Sequence, residues 1–347
     1  ALFVLILGIG AAYFYYQMSQ PLYQVGMVRA EKNLSSPLRP PEQGQDNNEF
    51  WDMGNRIRIH HFEQGNGKNI LVVHGGPGFP FSEPPAGLSL LADKYRFIYY
   101  DQRGSGASTR PFDKFPADGF YTNLLALDQN LGLGAQIADI ERIRQILKED
   151  KITIVAHSFG AFIAALYAAE FPDRVNGLIL IAPASVLVMP NPEGDLFSTV
   201  EKLVPDDMKS DFNKYKEKLF DVSNMFSRNE EEMVALNDEF VKFYVAALKA
   251  KGLGVPKLAA GARSGGWMMM GIYMSMGLKA DHRNAFKSVE APVLVIHAAN
   301  DFQSEKSSRM YVDAFPNAEI RIIENSGHFP LVEQPDVFAN MAGEFLE

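Results

Sequence analysis

The chain has no cysteine in 347 residues. That excludes disulfides, thiol nucleophiles and cysteine-ligated metals together, and it leaves the compartment open. Positive charge is scarce as well: 33 Lys and Arg stand against 42 Asp and Glu, a formal net charge of −9. A nucleic-acid binder needs a basic face to neutralise phosphates, so the balance argues against that class of partner. No internal repeat and no low-complexity tract is present. At 47% hydrophobic and 22% charged residues, the composition is that of a folded chain with a large core.

Long hydrophobic runs are also lacking, with one exception. "ALFVLILGIGAAYFYY", residues 1–16, carries no charge. At about 1.5 Å per residue it covers about 24 Å, somewhat short of the ~30 Å hydrocarbon core of a bilayer. A cleaved signal-peptide core and a buried helix are competing readings. The expectation is an uncleaved transmembrane signal anchor over residues 1–20, touching the membrane through residues 1–16. No Lys or Arg follows the run until Arg29. By the positive-inside rule the body is expected on the non-cytoplasmic side, periplasmic or extracellular. Such an anchor also allows a partner within a membrane complex.

Residues 21–50 are rich in Pro, Gln, Asn and Ser and read as an extended linker. Beyond them, near-continuous apolar runs alternate with helical patterns: "NILVVHGG", "YRFIYYDQRG", "ITIVAHS", "GLILIAP", "APVLVIHAAND" and "EIRIIENSGH". Strands of this kind, separated by helices, predict an α/β fold with a parallel sheet covered on both faces. The expected core is 51–184 together with 286–347. Between them, 185–285 is expected as an inserted helical cap. There Met233, Leu236, Phe240 and Tyr244 recur at three- and four-residue spacing, and "GGWMMMGIYMSMG" holds five methionines.

Ligands in parallel sheets bind at the carboxyl ends of the strands, and the polar residues there carry chemistry. A serine hydroxyl needs a base to take its proton and a carboxylate to orient that base. The sequence offers Ser158 in "AHSFG", Asp301 after "VLVIHAAN" and His328 in "NSGHFP". Each alone has an ordinary structural explanation. In this order, each closing a predicted strand, they form a candidate catalytic triad. The first glycine of G-x-S-x-G is Ala156 here, one methyl more than the strand–turn–helix elbow usually carries. His157 points away from the site in such an elbow and reads as structural.

"HGGPGFP", residues 74–80, supplies a glycine-rich turn able to aim N–H groups at an oxyanion. Pro77 has no N–H, so Gly76 is the expected donor, paired with the N–H of Phe159. Phosphate cradling is the alternative for such a loop, but no P-loop lysine accompanies it. In "DQRGSGAS", Asp101 and Arg103 are expected to brace the loops around the site.

Together "HGGPG", "DQRGSG", "ADIERIR" (138–144), the Ser158 elbow, Asp301 and "GHFPLVEQP" resemble the prolyl iminopeptidase branch of the α/β-hydrolase superfamily. The resemblance implies an eight-stranded, mostly parallel sheet with helices on both faces, a helical cap and no cofactor. It also implies release of an N-terminal residue, often proline, from short peptides. Ester hydrolysis, or an accessory role in a membrane complex, is the alternative. Three features depart from the branch. The elbow is not Gly-Gly-Ser-Trp-Gly, "NLGLGAQI" replaces an Asn-Thr-Thr run, and the apolar N-terminus is unusual. Cap glutamates hold the substrate amine in the family; the candidates here are Glu231, Glu232 and Glu239, with Trp267 beside them.

Overall fold

The computed structural model of the chain describes residues 20–44, 49–253 and 263–347. The strands in chain order are β1 (Phe50–Asp52), β2 (Arg58–Gln64), β3 (Lys68–Val73), β4 (Tyr95–Tyr100), β5 (Ile152–His157), β6 (Val175–Ile181), β7 (Val188–Met189), β8 (Ala280–Asp281), β9 (Val293–Ala298) and β10 (Ala318–Ile323). Eight form one sheet in the order β1-β2-β4-β3-β5-β6-β9-β10, and β7 pairs with β8 separately. From β4 to β10 the neighbours are parallel, while β1 and β2 pair antiparallel at one edge.

Strand residues alternate between two faces, and the cores divide accordingly. Leu71 and Val73 of β3 join one apolar cluster, whereas Ile70 and Val72 join the other. The helices Leu133–Ile146 and Phe159–Glu170 bury their side chains in the first cluster. Leu88, Leu331 and Phe338, from the helices Ala86–Ser89, Pro330–Glu333 and Pro335–Leu346, fill the second. Burial on both sides is why these strands read as unbroken apolar runs rather than alternating ones.

Between β6 and β9 the chain inserts helices over Leu196–Leu203, Asp206–Leu219, Glu230–Ala250 and Trp267–Met276. Glu230–Ala250 starts in a capping box, Asn229 accepting from Glu232 N–H and Glu232 reaching back to Asn229 N–H.

Two expectations about the N-terminal part are corrected. Among the described residues no helix is long and apolar enough to cross a membrane. The fold therefore includes no supported transmembrane helix, and the placement of the domain on the non-cytoplasmic side, which rested on that helix, is withdrawn. The apolar run of residues 1–16 itself lies outside the described residues. The second correction concerns the linker. Residues 20–44 form no free spacer; they lie against the core as an arm. Tyr23 and Val28 are buried, and the Glu170 carboxylate accepts from Tyr23 O–H (3.0 Å) and the N–H groups of Gly26 (2.7 Å), Val28 (3.3 Å) and Arg29 (3.1 Å). Arg142 donates to the carbonyls of Ser36 (2.6 Å) and Pro37 (2.9 Å). These backbone groups of the arm are satisfied by distant side chains.

Candidate active site

Ser158 sits between the last residue of β5 and the first of the helix Phe159–Glu170. Its backbone is in a strained region, φ 54° and ψ −119°, which costs on the order of 1–3 kcal/mol for a non-glycine residue. Ser158 N–H donates to Ile181 O (2.8 Å), and its carbonyl accepts from Ala161 and Ala184 N–H. Two glycines permit the approach. A Cβ on Gly160 would lie 2.4 Å from His74 O, and one on Gly75 would lie 2.8 Å from Ser158 Cβ. Ala156, by contrast, is fully buried in the sheet, in register with Val73 and Leu180. The extra methyl lands in core.

β9 and β10 run parallel with Ala298 paired to Ile323, so the loops that follow open at the same level. They bring Asp301 and His328 together. His328 Nδ1–H donates to the Asp301 carboxylate at 3.0 and 3.1 Å, and Ser158 O–H donates to His328 Nε2 at 2.9 Å. A carboxylate can only accept, so this arrangement sets the tautomer that leaves Nε2 free to take a proton. All three residues are buried. Burial pushes the Asp301 carboxyl up, but the His328 imidazole, its hydrogen bond and Gln303 N–H (3.0 Å) together hold it below the ordinary value.

The loop that carries His328 is fixed from two sides. His157 Nε2–H donates to His328 O at 2.7 Å, and burial keeps the His157 ring neutral, its pKa lowered to about 3. Glu333 accepts from Gly327 N–H (2.7 Å) and Phe329 N–H (2.9 Å), the two residues flanking the base. No motif marks that role. The carboxylate lies one helical turn beyond Phe329, and only the folded loop turns both N–H groups toward it.

Phe159 opens its helix, so its N–H has no carbonyl within that helix to bond. Gly76 lies in the turn pressed on Ser158. His74 anchors that turn: its Nε2 accepts from Gln102 N–H (3.0 Å) and its carbonyl accepts from Gln102 Nε2 (2.8 Å). Burial lowers the His74 pKa to about 4. Asp101 and Arg103 do not pair with each other. Asp101 accepts from Ala107 N–H (2.8 Å) and contacts His60 Nδ1 (3.0 Å), while Arg103 makes a buried two-pronged pair with Asp139, each bond 2.6 Å. Arg142 shares Asp139 at 2.8 Å, so "DQRGSG" and "ADIERIR" interlock.

The inserted helices close over the triad. The Phe302 ring lies 4.7 Å from that of His328, Tyr244 packs edge-on to Phe302, and Lys251 Nζ donates to Asp301 O. The expected amine-binding candidates are engaged elsewhere. Glu231 is exposed and paired with Arg263, Glu232 is used in the capping box, and Glu239 pairs with Lys218 at 3.1 Å. Trp267 is fully buried, with Nε1–H donating to Asp113 O. A helix pattern gives spacing but not which way a face turns: Glu231 and Glu232 face solvent and Glu239 is half-buried. The buried carboxylate of the helix is Glu230, bound by Arg110 and by Trp267 N–H (2.9 Å).

Residues 68–335 match the alpha/beta hydrolase fold family. The chain belongs to that family. Within it the chain is a serine hydrolase. A proline iminopeptidase of Heyndrickxia coagulans is 28% identical over 300 residues, covering 84% of this chain and 96% of its own. Two solved structures share the fold. A thermophilic esterase from Thermogutta terrifontis has a TM-score of 0.54 at 19% identity, over 84% of this chain and 93% of its own. The proline iminopeptidase of Mycobacterium smegmatis has 0.52 at 16% identity, over 84% and 95%.

Proposed function

We propose that this alpha/beta hydrolase is an aminopeptidase that releases an N-terminal residue, proline or another, from short peptides through an acyl-enzyme on Ser158. The observation that carries the mechanism is the continuous chain from Asp301 through His328 to Ser158 Oγ, with its 2.9 Å final link. Ser158 Oγ attacks the carbonyl carbon while His328 Nε2 takes the hydroxyl proton, and Asp301 stabilises the imidazolium. The Gly76 and Phe159 N–H groups hold the oxyanion. His328 then protonates the leaving amine, and water, activated by the same imidazole, releases the acyl group. The peptide substrate rests on the Heyndrickxia coagulans relative, which aligns over nearly all of its own length.

A fluorophosphonate probe tests the nucleophile: wild type is expected to be labelled and Ser158→Ala is not. Prolyl-, alanyl- and other aminoacyl-naphthylamides, run beside 4-nitrophenyl esters, test the substrate. Turnover of the naphthylamides is expected; turnover of esters alone moves the reading to a carboxylic ester hydrolase.

A further inference from the structure

The turn that carries Gly76 is held between the nucleophile and the inserted helices. On one side Gly75 touches Ser158. Within the turn, a Cβ on Gly76 would lie 2.7 Å from Gly78 N, so the two glycines are in direct contact. On the other side Gly78 meets Gly265: Gly265 N–H donates to Gly78 O at 2.8 Å, and a Cβ on Gly78 would lie 3.0 Å from Gly265 Cα. Any shift of Gly265 is transmitted to Gly78 and Gly76 through backbone, with no flexible side chain between to absorb it.

Gly265 is in turn fixed by the helix Glu230–Ala250. Asn237 Nδ2 donates to both Gly265 O and Gly266 O (3.2 Å to the latter). Ser264 Oγ donates to Asp238 (2.6 Å), and Glu230 fills the space over Gly266, where a Cβ would lie 2.3 Å from its Oε1. Asn237 is fully buried, and its Oδ1 has no partner among the described residues. An orphaned acceptor is a cost that an apolar residue in the same core position avoids. What the amide supplies in return is its pair of donors to the two glycine carbonyls.

We propose that Asn237 is a positioning residue for the oxyanion turn, acting through the Gly265–Gly78 hydrogen bond. The inserted helix then sets the alignment of the Gly76 N–H, and the oxyanion hole is complete only when that helix is seated. This rests on the use of the Gly76 N–H proposed above.

The test separates oxyanion alignment from general damage. A 4-nitrophenyl ester of the acyl group the enzyme takes is compared with its thiono analogue, in which charge develops on sulfur, a weak hydrogen-bond acceptor. Rates are referred to serine sites titrated by fluorophosphonate, so unfolded protein does not count. Asn237→Ala is expected to lower kcat on the oxygen ester by about 10- to 100-fold with KM within about twofold, while the thiono rate changes by less than about threefold. Equal losses on both esters, or no loss, overturn the proposal. If Asn237→Ala does not fold, Gly265→Ala decides: its Cβ presses at 3.2 Å on Met268 Sδ and 3.3 Å on Gly78 Cα, and the same selective loss is expected. A wild type that is not labelled at Ser158 sinks the hydrolase mechanism itself. A labelled wild type whose variants keep the full oxygen preference sinks only the role of Asn237.

Discussion

At the residue scale the site depends on how the base is held. Ser158 is fixed by a strained backbone and three main-chain hydrogen bonds, whereas His328 rides on a loop. Glu333 restrains that loop through the N–H groups on either side of the base. Glu333→Gln keeps the volume but turns one acceptor into a donor that faces an N–H. It is expected to lower kcat by about 10-fold, and Glu333→Ala by about 10- to 100-fold, with KM nearly unchanged. Steady-state kinetics on titrated enzyme checks this, and a KM rise without loss of kcat would contradict it. Ser158→Ala should cost about 10⁴-fold or more in kcat. Ser158, Asp301 and His328 were legible because each closes an apolar run, and the ends of runs can be counted. Glu333 was not, because its partners are backbone groups and no residue type marks them.

At the element scale the arm of residues 20–44 shows the limit of reading composition. Its Pro, Asn and Ser content describes a segment unable to make its own core, and that is correct locally. Two of the side chains that hold it, Glu170 and Arg142, bond to arm residues 105 to 147 positions away in the chain. Glu170 is the last residue of its helix and fully buried, at the end where the helix dipole disfavours a negative charge. Its four donors offset that. Glu170→Ala is expected to lower the unfolding free energy by about 2–4 kcal/mol, after the freedom regained by the arm is counted. It should also open residues 20–44 to limited proteolysis. Glu305→Ala, which breaks an exposed pair with Arg309, should change stability by less than about 0.5 kcal/mol. Urea titration of the two variants gives the comparison. The cap glutamates show the opposite limit: the helix was legible, but the side it turns to the core depends on neighbours that the pattern does not name.

At the scale of the whole molecule, the histidines tie folding to pH. Burial lowers His157 to about 3 and His74 and His61 to about 4, and it lowers His282 and His297 in the same direction. In the unfolded chain each takes up a proton below about pH 6.5. In the folded chain His157, His74 and His61 do not until far lower, so between those values the unfolded state binds more protons and stability falls as pH drops. Each fully buried ring contributes a slope of about 1.4 kcal/mol per pH unit within its window. Asp301, whose carboxyl is held below its ordinary value, adds most of its loss below about pH 4, where the unfolded carboxyl becomes mostly protonated. The urea midpoint is therefore expected to stay flat from about pH 8 to 7 and to fall steeply from about 6.5 to 4.5, before the carboxylates matter. His157→Gln, whose amide can still donate to the His328 carbonyl, should remove one ring's share of the slope while leaving the midpoint at pH 8 less affected. A midpoint constant down to pH 5 would mean that these rings take up protons in the folded state. The His157 Nε2–H bond to the His328 carbonyl would survive that protonation, since the proton adds at Nδ1, but a positive charge would then be buried with its ring 4.9 Å from that of the base.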